Sequence, residues 1–192
     1  MHNIDKIVKQ IKKDRDMGQY YKAINIDTME YVSPYDYDNG AKLMEHSYIG
    51  NTYVEAVEFL LLNDGEDKAR WADSKIVWAG DYADPEEDGE NLYSKAEGSG
   101  LQFLIESVPS DYHYLVNWDK KEYVDKTKAP GEPGNWQVHP LPLLTCEGNG
   151  RGGGDYHDDD EPSYVGRWAR NKVNLMKEVP DGFTEIIVKF TE

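Results

Sequence analysis

The sequence predicts an α+β domain built on an antiparallel sheet, and three observations support that class. Two segments have the pattern of a β-hairpin, residues 52–63 have the pattern of an amphipathic helix, and strands and helices alternate without regular βαβ spacing. The chain has 192 residues, of which 39% are hydrophobic, so it is long and apolar enough for one packed domain. We therefore expect a sheet with two similar hairpins, one or two packed helices, and long acidic or glycine-rich loops.

The two predicted hairpins share a sequence pattern. Residues 19–32 (QYYKAINIDTMEYV) and 113–124 (HYLVNWDKKEYV) each contain an apolar strand, a polar turn with an aspartate, and then Glu-Tyr-Val. Two readings stay open at this point. The segments are related hairpins that lie side by side in one sheet, or they are independent examples of a common pattern.

Helical periodicity appears at the N-terminus and in the first half of the chain. Residues 3–14 place isoleucines and a valine at helical spacing, which predicts a helical extension over residues 1–16, ahead of a single domain at 17–192. Thr52 and Glu55 have the spacing of a capping box before an apolar run, which predicts a helix over 52–63. A shorter helix is expected within 41–48.

The remaining elements are predicted from short apolar runs. Residues 75–79 read as a buried strand that Gly80 closes, and residues 81–90 read as an acidic surface loop. Residues 136–139 read as a strand that Pro140 and Pro142 end, residues 165–173 as a helix, and residues 183–190 as a half-buried strand.

The formal net charge of −16 limits the functions open to the chain. Direct binding to DNA or RNA is disfavoured because phosphate backbones require lysine and arginine. The charge favours association with a basic protein surface, and plain solubility is the alternative explanation. No apolar run reaches the length of a membrane span, and the single cysteine, Cys146, excludes an internal disulfide, so we expect no membrane association and a cytoplasmic location.

Tyrosine and aspartate occur together in residues 31–38 and 80–84 and again at Asp155-Tyr156. Carboxylates interleaved with aromatic rings imitate the phosphates and bases of nucleic acid and offer ion pairs and stacking surfaces to arginine and lysine. The alternative is that these stretches are turns whose rings cover the core. The candidate partner-binding residues are Asp36, Asp38, Asp81, Tyr82, Asp84, Glu86, Glu87 and Asp88.

The glycine-rich segment from Gly148 to Glu161 has a second candidate chemistry. Glycine backbone N–H groups approach anions closely, but no P-loop or dinucleotide-binding pattern is complete here. Carboxylates in the same segment suit Mg²⁺ or Ca²⁺. A solvated loop without a ligand and an element that contacts a partner protein are the other interpretations. The alternative phosphate-binding residues are Gly150, Arg151, Gly152 and Gly153, and the alternative metal ligands are Asp155, Asp158 and Asp160.

No catalytic residue can be assigned from sequence spacing. The five histidines have no metalloprotease-type spacing, no nucleophile elbow is present, and Cys146 lacks basic neighbours that would activate its thiol. The absence of such motifs favours a binding protein over an enzyme and predicts no resident cofactor.

Four segments, GQYYKAIN (18–25), GAKLMEHSYIGN (40–51), IVWAGDYAD (76–84) and HPLPLLTCEGNGRGGGDY (139–156), resemble an uncharacterised family of bacterial and phage proteins. The resemblance covers roughly residues 17–192 and implies a phage or mobile-element setting, in which small acidic inhibitors of defence nucleases, of the anti-CRISPR or anti-restriction type, form a recognised class. It assigns no site residues.

The expected function is therefore that of an acidic inhibitor that occupies the basic groove of a nucleic-acid-binding protein, such as a Cas nuclease, in the host cytoplasm. A metal-dependent phosphoester or nucleotide hydrolase, or a nucleotide-sequestering protein, built on the Gly148–Glu161 loop is the alternative.

Overall fold

The computed structural model describes residues 19–102, 107–131, 136–148, 156 and 164–189, and these residues form an α+β fold, as predicted. The predicted extension over residues 1–16 lies outside them. The strands are β1 (Tyr21–Asn25), β2 (Glu30–Val32), β3 (Lys75–Gly80), β4 (Tyr114–Asn117), β5 (Glu122–Asp125), β6 (Cys146–Glu147), β7 (Asn171–Met176) and β8 (Thr184–Glu185). The helices are α1 (Leu43–His46), α2 (Thr52–Leu60), α3 (Leu92–Lys95) and α4 (Pro140–Thr145), and 3₁₀ turns lie at Pro34–Tyr37 and Lys126–Lys128.

One mixed sheet contains all eight of these strands, in the order β2-β1-β3-β7-β4-β5-β8, with β6 paired to β3. Both predicted hairpins, β1–β2 and β4–β5, are confirmed. The expectation that they are neighbours is wrong, because β3 and β7 lie between them. The sheet is antiparallel as expected, except that β6 joins β3 and β8 joins β5 in parallel.

The two halves of the sheet are copies of one another. In the first hairpin the amide oxygen of Asn25 accepts hydrogen bonds from two backbone N–H groups of the turn, and Asn117 does the same in the second hairpin. Each turn ends on a residue with positive φ, Met29 or Lys121. The same turn chemistry and the same register show that the hairpins are related, which resolves the question left open by their sequences.

An approximate two-fold axis passes through the centre of the sheet. Lys75 is the first residue of β3 and Lys172 the second residue of β7, and these two equivalent lysines pair with one another where the strands meet. The backbone N–H of Lys75 donates to the Asp27 carboxylate over 2.9 Å, and that of Lys172 donates to the Asp119 carboxylate over 2.8 Å. Each hairpin turn is thus tied to the third strand of its own half in the same way.

A glutamate in each half joins the hairpin to a buried tryptophan. Glu30 accepts hydrogen bonds from the Arg70 guanidinium and from Trp71 Nε1, the latter over 3.0 Å. The second half repeats the arrangement with Glu122, Arg167 and Trp168, whose Nε1 lies 2.8 Å from the carboxylate. Both tryptophans are fully buried. The arginines lower the pKa of both glutamates, so both remain charged at neutral pH.

The two copies are interlocked across the axis. The chain that follows α2 in the first half pairs with β7 of the second half through Leu62 and Leu175. The chain that follows α4 in the second half pairs with β3 of the first half through Cys146 and Trp78. Because each half completes the sheet of the other, we expect the described residues to unfold as one cooperative unit.

The side chains of the central strands alternate between two apolar layers. Ala23 and Trp78 face the main core, to which α2 and α4 contribute, whereas Ile24 and Val77 face a smaller cluster that α3 covers. This alternation confirms the predicted strand at 75–79, which extends to Gly80.

Helix α2 confirms the prediction over 52–63 in type but not in its ends. Its N-cap is Asn51, whose side chain accepts from the N–H groups of Tyr53 and Val54, so the capping box predicted on Thr52 is wrong. Asparagine and threonine cap helices by the same chemistry, and the pattern alone did not choose between adjacent residues. The helix ends at Leu60 because the next residues extend to pair with β7.

Three further predictions require correction. Pro140 does not end a strand but begins α4, which is consistent with its fixed φ and its lack of an N–H group. Residues 165–173 are not helical, because they form turns and then enter β7. The strand predicted over 183–190 is described as far as residue 189, and within that part only Thr184–Glu185 is in the sheet.

The equivalent residues Asn25 and Asn117 differ in the hydrogen bonding of their side-chain amides, and this difference gives a test of the duplication. Asn117 Nδ2 donates to Asn171 Oδ1 over 3.0 Å, but Asn25 Nδ2 is buried without a hydrogen-bond partner among the described residues, because Ser74 stands where the second half has Asn171. We predict that Ser74→Asn supplies the missing acceptor and stabilises the protein by about 1 kcal/mol in urea denaturation.

The reciprocal change is the control. Asn171→Ser leaves Asn117 Nδ2 buried and unpaired, so we expect a loss of roughly 1–3 kcal/mol. Equal and small effects of the two substitutions would show that the positions are not equivalent.

Candidate interaction surface

Two of the predicted binding residues lie where β1 begins and β3 ends. Asp81 and Tyr82 directly follow β3, and Tyr20 directly precedes β1. The backbone N–H of Tyr20 donates to Asp81 Oδ1 over 3.0 Å, and the N–H of Asp81 donates to the Tyr20 carbonyl over 2.9 Å. This reciprocal pair fixes Asp81 and both tyrosines at one end of the sheet.

The turn after β2 brings a third tyrosine to the same end. Tyr35 lies in the 3₁₀ turn Pro34–Tyr37 and is 59% exposed. Partial burial raises the pKa of Tyr35, and the neighbouring Tyr20, Glu45 and Asp81 raise it further. These electrostatic effects indicate that Tyr20, Glu45 and Asp81 lie in the neighbourhood of Tyr35. We call the set Tyr20, Tyr35, Tyr82, Asp36, Glu45 and Asp81 the tyrosine–carboxylate face.

The charge of Asp81 is not neutralised by a cation among the residues that the structure describes. Burial raises the pKa of its carboxyl, and only backbone N–H groups oppose that effect. The raised pKa shows that the charged form is poorly solvated. A cation from outside the chain would therefore gain more from Asp81 than from a fully hydrated carboxylate.

The other predicted carboxylates divide into two groups. Arg170 binds both Glu86 and Glu147, and Lys95 lies 2.5 Å from Asp88, so Glu86 and Asp88 already have internal cations. The remaining carboxylates among the predicted binding residues are Asp36, which accepts from Gln102 over 2.8 Å, the exposed Asp38 and Glu87, and the half-buried Asp84.

A buried lysine lies below the face. Lys22 on β1 is 4% exposed, and its ammonium lies 4.0 Å from the ring centre of Tyr31 and 4.1 Å from that of Tyr93. Burial lowers the pKa of Lys22 to about 8, although Glu97 opposes the shift. This cation–π arrangement partly compensates the ammonium for the hydration that it loses on burial.

The face is specific to the first half of the duplication. Tyr112 occupies the place of Tyr20 in the second half but is only 9% exposed, and Tyr114 replaces Lys22. The elements retained in both halves build the sheet. Features present in one half only are therefore the better candidates for function.

Helix α1, which carries Glu45, is held by a buried histidine. His46 Nε2 accepts from Trp78 Nε1 over 2.9 Å, and its Nδ1 lies 3.0 Å from the Gly40 carbonyl, to which it donates. Burial lowers the pKa of His46 to about 4, so the ring is neutral at physiological pH. His46 is thus a structural residue that positions the face.

The second candidate site cannot be assembled from the described residues. The phosphate-binding set Gly150, Arg151, Gly152 and Gly153 and the metal set Asp155, Asp158 and Asp160 all lie outside them. Within the ranges that the structure covers, no group of three histidine, cysteine, aspartate or glutamate residues is placed to hold a metal ion. The buried Cys146 packs with its thiol donating to the Leu143 carbonyl.

Sequence reasoning did not assign Tyr20, Tyr35 or Glu45 to the binding set. Tyr35 had a usable signal, because it adjoins Asp36 in the tyrosine–aspartate stretch. Tyr20 and Glu45 had no such signal. Tyr20 reaches Asp81 only through the pairing of β1 with β3, and Glu45 reaches the neighbourhood of Tyr35 only through the return of the chain at α1.

Comparisons of the chain with protein-family models, with curated proteins and with solved structures gave no significant match. Among the described helices, none is long and apolar enough to cross a bilayer.

The state of His46 can be tested by an NMR pH titration. Because burial keeps the folded-state pKa near 4, we predict that the His46 ring signals stay constant from pH 8 to about pH 5. The unfolded chain takes up this proton near pH 6.5, so the contribution of His46 to stability should fall between about pH 6.5 and pH 4. A titration midpoint near 6.5 in the folded protein would contradict this placement.

Proposed function

We propose that the protein is a non-catalytic inhibitor that binds the basic groove of a nucleic-acid-binding protein through its tyrosine–carboxylate face. The observation that supports this proposal is the juxtaposition of Asp81, which no described cation neutralises, with three tyrosines that are 41–59% exposed.

The chemistry of the face suits arginine and lysine. A guanidinium can pair with a carboxylate through two hydrogen bonds and stack on a neighbouring ring at the same time. Grooves that bind single-stranded nucleic acid contact the phosphates with cationic side chains and stack aromatic rings on the bases. On the tyrosine–carboxylate face, carboxylates take the place of the phosphates and tyrosine rings take the place of the bases. A protein surface with alternating carboxylates and rings therefore competes for such a groove.

The net charge of −16 adds a long-range contribution. It steers the protein toward a basic partner and increases the association rate, and salt weakens this effect because the Debye length is only about 10 Å at 0.1 M. The resemblance to phage and bacterial proteins favours a defence nuclease, such as a Cas nuclease, in the host cytoplasm.

Binding can be measured against nucleic-acid-binding proteins purified on a DNA resin. We predict that the immobilised wild-type protein retains basic members of this set at low salt and that duplex or single-stranded DNA displaces them. The triple variant Tyr35→Ala, Asp36→Asn, Asp81→Asn should lose most of the retained protein, since removal of central contact residues typically weakens an interface by more than about tenfold.

The matched control removes the same charge and an exposed ring elsewhere. The variant Trp118→Ala, Glu66→Gln, Asp67→Asn changes exposed residues outside the face and should bind as the wild type does. Equal losses in both triple variants would mean that net charge alone drives retention and would contradict the proposal.

A further inference from the structure

A second feature lies apart from the tyrosine–carboxylate face: a solvent-open cavity between α2, the segment that precedes β4 and the 3₁₀ turn Lys126–Lys128. Its volume is about 250 Å³. Sites for drug-sized ligands measure roughly 300–1,000 Å³, so this cavity suits a smaller group. Ile49, Val108 and Pro109 give it an apolar wall.

The floor of the cavity contains a buried ion pair that joins the two halves of the fold. Glu58 of α2 is 2% exposed, and its Oε1 lies 2.7 Å from Lys126 Nζ and 3.2 Å from His139 Nε2. These two neighbours lower the pKa of Glu58 despite its burial. The glutamate is therefore charged, and Lys126 neutralises it.

His139 lies beside Glu58 in this floor and carries no net charge. Its Nδ1 accepts from the backbone N–H of Leu141 over 3.1 Å, because His139 is the N-cap of α4. An acceptor nitrogen carries no proton, so the single ring proton is on Nε2, which lies 3.2 Å from Glu58 Oε1. The floor as a whole is electrically neutral.

A second carboxylate leaves the cavity with an excess negative charge. Glu55 lies one turn before Glu58 on α2 and lines the same cavity. No lysine, arginine or histidine within the described ranges forms an ion pair with it. Ser110 and Thr127 place hydroxyl groups on the polar side of the cavity.

We propose that this cavity binds a primary alkylammonium group, with the ammonium at Glu55 and the alkyl chain against Ile49, Val108 and Pro109. An anion is disfavoured, because Glu58 already neutralises Lys126 and Glu55 repels negative charge. A neutral ligand supplies no positive charge to pair with the Glu55 carboxylate. The ammonium group belongs to a free short-chain amine or to a lysine side chain of a bound protein.

The test uses n-butylammonium with two isosteric controls, n-butanol and butyrate, in NMR titrations of the full chain. We expect saturable shifts confined to residues 49–55, 108–110 and 126–127 with butylammonium, at least about tenfold weaker binding of butanol, and none of butyrate. Equal binding of butanol and butylammonium, or no saturable shift at all, would overturn the proposal.

Glu55→Gln tests the assigned carboxylate, and Glu66→Gln, at an exposed site on the loop after α2, is its control. We expect Glu55→Gln to weaken butylammonium binding by about tenfold or more and Glu66→Gln to leave it unchanged. Unchanged binding in Glu55→Gln overturns the assignment. We expect the Glu55→Gln variant to fold as the wild type does, because the buried Glu58, Lys126 and His139 are unchanged.

A fourth probe distinguishes the two sources of the ammonium group. The probe is Nα-acetyl-lysine-N-methylamide, titrated separately from butylammonium. If both compounds bind, the cavity is assigned to a lysine side chain. If butylammonium binds and the lysine derivative does not, the cavity is assigned to a free amine. The site does not depend on the proposed inhibitor function, because these measurements use no protein partner and no residue of the tyrosine–carboxylate face.

Discussion

A charged glutamate that accepts hydrogen bonds from an arginine and a buried tryptophan is the interaction on which the rest of this structure depends. It occurs twice, as Glu30 with Trp71 and as Glu122 with Trp168. In each half it connects the second strand of the hairpin to the turn that leads into β3 or β7. Burying an indole N–H without a partner is costly, so the carboxylate, the hairpin and the central strand must come together.

Duplication explains why function is more readily found in the differences between the halves. The shared turns, clamps and strand pairings are needed twice to complete one sheet, and they leave little freedom for a binding site. Within the described residues, the tyrosine–carboxylate face belongs to the first half only, and the cavity above Glu58 is built from different elements of the two halves. Arg170 illustrates how equivalent positions have diverged. It has a positive φ, as does its counterpart Asp73, but its side chain binds Glu86 and Glu147 and so anchors the acidic loop.

The sequence allowed the α+β class, both hairpins, α2 and β3 to be predicted, since each depends on local periodicity and turn chemistry. The full duplication also had a signal, because RWADSK at residues 70–75 recurs as RWARNK at residues 167–172. The short helix at Pro140 and the pairing of Tyr20 with Asp81 could not be predicted, because long-range pairing determines them. The internal cations of Glu86 and Asp88 had no local signal either, so an acidic run was read as a uniform surface.

The most direct measurement of the interlocked duplication is native-state amide hydrogen exchange of Glu122→Gln, with Glu66→Gln as the control. The substitution weakens a charge-assisted clamp in the second half, which should cost about 1.5–3 kcal/mol. If the halves complete one another, the free energy of opening falls by the same amount in β1 and in β4. A loss of protection confined to β4, β5 and β7, with β1 unchanged, would show two independent units and contradict the account.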